Sequence, residues 1–168
     1  MKRTLLVLAT IAGFAVSGIA AAQTPAAPPA APPPAYGLGI SMAAAKKAMA
    51  AAEAEAIKNG WPVAIAIVDS SAKLVLFSRI DNTQHGSVDI AIGKATTAVN
   101  LRRPTKALQD GIAQGGVNLR VLAVPGVMPL EGGVPIIVDG KVIGGIGVSG
   151  VLSNQDAEVA MAGAAAAK

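Results

Sequence analysis

One imidazole, that of His85, stands in the polar run DNTQHGS (81–87) of a 168-residue chain. A neutral imidazole is the commonest protein ligand for haem iron and transition metals, so His85 is the metal-ligand candidate. With a single His and no Cys, the chain cannot build a poly-His metal site, a zinc finger, a Cys-ligated iron–sulfur cluster or a Cys nucleophile. A Ser-His-Asp triad would have to run through His85. Arg79 and Asp81 precede it at the end of the apolar run KLVLFSR (73–79), a position where charged groups rim pockets. Lys94 follows in an apolar-periodic segment, where an ammonium can pair a carboxylate or snorkel to water. Glu131 lies beside Gly132-Gly133 in a turn. The acids Asp81, Asp89 and Glu131 show no spacing that makes them a catalytic pair. Met42, Met49 and Met128 could offer thioethers to a metal, but methionine at helical spacing fills cores.

A second constellation is Gly145-Ile146-Gly147-Val148-Ser149-Gly150, a literal G-x-G-x-x-G. A dinucleotide site needs a parallel strand after this motif and an acid about 20 residues on. Only helix-like sequence follows Gly150, so these glycines read as close-packing positions. Ser149 and the amides near Ser153 could still receive a small anion at a helix start.

The elements that position these residues follow from periodicity. Ser41 caps an Ala-rich helix ending at Asn59-Gly60, with Met42, Ala45, Met49, Ala52 and Ala56 on one apolar face. VAIAIVD (63–69) and KLVLFSR form a hairpin around Ser70-Ser71-Ala72. A helix runs from Ser87 to Leu101 with Val88, Ile92 (or Ala91), Ala95 and Val99 inward; Pro104 ends it and Thr105 caps a short helix up to Gly115-Gly116. Arg102 and Arg103 favour the preceding helix's terminal carbonyls, with an anion site as the alternative. VLAVPG (121–126), VPIIVD (134–139) and KVIGGIGVS (141–149) read as strands, the last two joined by Asp139-Gly140. A terminal helix opens at Ser153 through a capping-box variant ending in Asp156. The pattern predicts an α+β fold with a mostly antiparallel sheet of about five strands.

Residues 1–22 combine Met1-Lys2-Arg3, an apolar run from Leu5 and the triplet Ala20-Ala21-Ala22, the pattern of a secretory signal peptide cleaved after Ala22. The expected location is periplasmic or secreted, with no stable membrane anchor after cleavage. Residues 23–38 are a Pro/Ala-rich linker, holding six of eleven prolines, and the domain spans 39–168. The basic excess of four falls to two without Lys2 and Arg3, too little to imply a nucleic-acid partner. One Trp, one Tyr and two Phe also make no stacking platform.

From Pro62 onward the chain carries IGKA (92–95), RPT (103–105), GGVPIIVDGKVIGGIGVSG (132–150) and QD (155–156) in order. In these segments it resembles the GlcG/HbpS family of haem-binding and proposed haem-degrading domains, over essentially the whole domain. The resemblance implies a three-layer α/β/α sandwich, a homo-oligomer, and haem or another small anionic ligand. Arg79, Asp81, Lys94, Glu131, Gly133 and Ser149 match family motifs near the implied pocket. His85 is the iron candidate on coordination chemistry alone, expected at the lip of a cleft with Lys94 or Arg79 near propionates. The leading expectation is an exported haem-binding protein. The alternatives are a small-molecule enzyme acting on a carboxylate-bearing substrate through Lys94, Arg79 and Glu131, or a non-catalytic oligomeric partner-binding module.

Overall fold

The computed structural model describes residues 32–168. The stretch read as a signal peptide and the start of the stretch read as a linker lie outside the described residues. Helix α1 (Met42–Asn59) begins where Ser41 Oγ accepts a hydrogen bond from the Ala44 amide, 3.2 Å away, and ends at left-handed Gly60. Strands β2 (Ala64–Asp69) and β3 (Leu74–Arg79) form the expected hairpin. Its turn is closed by Asp69 Oδ1, which accepts from the amides of Ser71 and Lys73. Helix α2 (Ser87–Asn100), helix α3 (Lys106–Gln114) and a 3-10 segment (Gly116–Ala123) follow. Strands β4 (Gly133–Val138) and β5 (Lys141–Ser149) turn through Asp139-Gly140, both with positive φ, and α4 (Ser153–Ala166) closes the domain.

Strand β1 (Ala35–Tyr36) pairs parallel with β5 inside the stretch read as linker. It is held there by side chains. The Tyr36 hydroxyl donates toward the carbonyls of Val99 and Asn100 at the end of α2, and Arg102 lies over the ring and donates to the Pro34 carbonyl. The expected pairing of Arg102 with the helix's own carbonyls is thus replaced, and only Arg103 bonds locally, to the Leu101 carbonyl. The sheet has five strands, antiparallel except at β1, and is therefore mixed. VLAVPG does not become a strand. Its residues lie in the 3-10 segment and the following turn, with Leu122 and Val124 exposed and Pro125-Gly126 interrupting any ladder.

Alternation along β2 builds two cores. Val63, Ile65 and Ile67 face α1 and α4 together with Ile136, Ile146 and Val148. Ala64, Ala66 and Val68 face α2 with Ala91, Ala95 and Val99. The result is the three-layer sandwich. On the α2 side the helix lies close because Gly147 has no side chain: a Cβ there would strike the Ala91 carbonyl. The glycine motif is therefore a packing surface, as the missing second strand implied.

Candidate functional site

The register aligns one end of the sheet. Arg79 of β3 lies opposite Ala64 of β2, Ala64 lies opposite Ser149 of β5, and Gly147 lies opposite Gly133 of β4. His85 enters from the turn before α2, Lys94 sits two turns into α2, and Glu131 precedes β4. All seven sequence-selected residues thus reach the same end of the sheet, but they divide into two corners. Arg79 and Gly133 are three strand spacings apart, about 14 Å.

At the β3 corner Arg79, Asp81 and His85 are exposed. Arg79 Nη1 lies 3.4 Å from His85 Nδ1. A guanidinium only donates, so Nδ1 is the acceptor and the neutral ring carries its proton on Nε2. Ligation of a metal by this imidazole requires the contact to open or that proton to leave. Asp81 lines a separate shallow hollow of about 260 Å³ with Trp61 and Ile80. The expected cleft beside His85 is not one of the hollows at this end of the sheet: His85 lines neither this one nor the one at the β4 corner. Among the described residues no group of three or more His, Cys, Asp or Glu is placed to hold a metal ion.

At the β4 corner Lys94 is neither a ligand arm nor a snorkelling surface residue. Its Nζ donates to Asp156 Oδ2 and to the Val148 carbonyl, each at 2.8 Å, and both side chains of the pair are almost wholly buried. Burial pushes the Lys94 pKa down, with Asp156 opposing, and pushes the Asp156 pKa up, with Lys94 opposing. The pair crosses from the α2 layer to the α4 layer past the start of β4. Gly132 (φ 122°) makes that crossing possible, since a Cβ there would sit 2.8 Å from Lys94 Nζ. Gly133 is fixed by packing as well: its amide donates to Thr105 Oγ1 at 2.9 Å, and Thr105 N donates to the Gly133 carbonyl. Thr105 therefore spends its hydroxyl on β4 instead of capping α3.

Ser149 is buried and its hydroxyl contacts Ser87 Oγ at 3.3 Å. The anion corner expected beside it is already filled: Asp156 Oδ1 accepts from Val151 N, and Gln155 Oε1 accepts from Leu152 N. Helix α4 supplies its own anion. Glu131 is largely buried, its amide donating to Gln109 Oε1 at 2.9 Å.

Sequence reasoning missed Asp156 as the partner of Lys94. A signal was present. Lys94 falls between Ala91 and Ala98 on the buried stripe of α2, and a lysine in such a stripe needs a carboxylate.

A family model described as haem degrading protein, HbpS-like, matches residues 40–165. The chain belongs to the HbpS-like family. GlcG of Escherichia coli K12 is 40% identical over 110 residues, which cover 66% of this chain and 81% of GlcG. A crystal structure of a double mutant of Streptomyces reticuli HbpS matches with TM-score 0.71 and 35% identity, over 84% of this chain and 97% of that one. A crystal structure of a PduOC–haem complex matches with TM-score 0.71 and 29% identity, over 77% and 95%. The segments that carry the HbpS-like resemblance converge on the β4 corner, through Lys94, Thr105, Gly132, Gly133 and Asp156.

Proposed function

We propose that this HbpS-like protein is an exported, self-associating haem-binding protein whose haem site is the exposed Arg79–His85 corner. The family description and the similarity to the PduOC–haem complex support haem as the ligand class. The observation that carries the site is the exposed imidazole standing beside an exposed guanidinium. The donor set fits in kind. His85 supplies a nitrogen for iron, and Arg79, released from Nδ1, supplies a planar cation for a propionate carboxylate. Lys94 takes no part, because its charge is spent on Asp156. Bound haem would supply a redox-active iron; the residues here bind and orient it.

The enzyme reading through Lys94, Arg79 and Glu131 has less support, since Arg79 stands across the sheet from the other two. Self-association is supported by the exposed Val117, Leu119, Leu122 and Val124 on the 3-10 segment and the turn after it. Export is supported by the pattern of residues 1–22. Among the described residues no helix is long and apolar enough to cross a membrane.

Hemin titration of the protein lacking residues 1–22 is expected to give a saturable Soret change at micromolar hemin. The absence of such a change overturns the proposal, and a change untouched by His85→Ala relocates the iron. Size-exclusion chromatography tests assembly, and mass spectrometry of the periplasmic fraction tests cleavage before Gln23.

A further inference from the structure

The β4 corner holds a hollow of about 400 Å³ between the start of α3, the entry to β4 and α4. That volume is in the range of small-molecule sites. Its walls are largely apolar, with Val134, Ala157 and Met161 on one side and the bare backbone of Gly132 behind. The Lys94–Asp156 pair lies sealed beyond Gly132 and is neutral as a unit.

One polar group stands out at the mouth. The Glu131 side chain is 13% exposed, yet no short hydrogen bond reaches its carboxylate. Gln109 Nε2 is 3.5 Å from Oε2, and Lys106 Nζ is 3.8 Å away. Lys106 is itself committed to Asp110 at 2.9 Å. A carboxylate largely withdrawn from water and without a close donor favours one that arrives with a ligand. The charges at the mouth agree. Lys106 is one cation facing two anions, Asp110 and Glu131, so the opening favours a positive head.

We propose that this hollow is a second ligand site, separate from the haem corner, which takes a small primary ammonium with a short apolar tail. The ammonium donates to Glu131, and a tail of about four to six carbons lies against Val134, Ala157 and Met161. The floor at Gly132 must stay bare, because any side chain there runs into Lys94 and the Val148 carbonyl.

The test is an amide-resolved NMR titration of the protein lacking residues 1–22 with butylamine, butan-1-ol and butanoate at one pH near neutrality. Butylamine is expected to move the Gly132, Gly133 and Ala157 amides saturably, and butanoate to leave them in place. Glu131→Gln should weaken butylamine at least about ten-fold while the rest of the spectrum stays put. Met161→Lys, at an exposed position, brings a competing ammonium to the mouth and should weaken it as well. No saturable shift, equal binding of butanoate, or undiminished binding by both variants overturns the proposal. Hemin binding in the same variants should be unchanged, so loss of one site leaves the other still measurable.

Discussion

The two corners at this end of the sheet each bring a basic side chain against a second polar group, and the two contacts have opposite fates. At β3 a guanidinium and an imidazole lie in the open, touching at 3.4 Å. At β4 an ammonium and a carboxylate lie 2.8 Å apart with almost no exposure. The difference is one of position on α2. His85 precedes the helix in a turn, whereas Lys94 occupies the stripe that α2 presses on the sheet. An exposed pair contributes little to stability and stays free to meet a ligand; a buried pair is costly to desolvate and costlier to split.

The largest effect should come from splitting the buried pair. Lys94→Met leaves the buried Asp156 carboxylate without its cation and is expected to destabilise by about 3–5 kcal/mol in urea unfolding. The double variant Lys94→Met/Asp156→Leu should recover most of that loss, because it removes both desolvation costs. A double variant as unstable as the single one would show that the pair holds the layers together by more than its charge.

The pH dependence sharpens the same point. Burial raises Asp156 above the ordinary carboxylate range, and losing Lys94 raises it further. The native state then keeps a proton that the unfolded chain releases above about pH 4. Stability of Lys94→Met should therefore fall as pH rises through the window between those two values, by up to about 1.4 kcal/mol per unit. A flat or rising profile would break the contrast between the corners.

Smaller effects belong to the open corner. His85→Ala should change stability by no more than about 0.5 kcal/mol while weakening hemin at least about ten-fold in a Soret titration. Arg79→Ala should weaken hemin about two- to five-fold, as expected for an exposed charge. The smallest effect lies back at the β4 corner, on its surface: Lys106→Ala removes the exposed pair with Asp110 and should cost less than about 0.5 kcal/mol by thermal unfolding.

Much of the fold was legible because it rests on local rules. The Ser41 cap, the left-handed Gly60 and the Asp139-Gly140 hairpin each need only a few neighbouring residues, and each stands where the sequence puts it. VLAVPG was misread because its composition suits a strand and nothing local reveals that no strand is there to pair with it. Strand β1 was overlooked for the converse reason: two residues enter the sheet through Tyr36 and Arg102, over 60 positions apart.

The candidate site was legible only as a set of residue types. The motifs group Arg79, Asp81, Lys94, Glu131, Gly133 and Ser149, and coordination chemistry adds His85; the strand register divides these residues between two corners of one end of the sheet. Which charges are free was decided by packing between distant segments. Lys94 meets Asp156 across 62 positions because a strand entry without a side chain lets them pass, and no local rule carries that distance. Capping, turn chemistry and side-chain alternation act within a few residues of backbone, so sequence determines them; desolvation and charge pairing depend on what arrives from elsewhere, so only the assembled layers determine those.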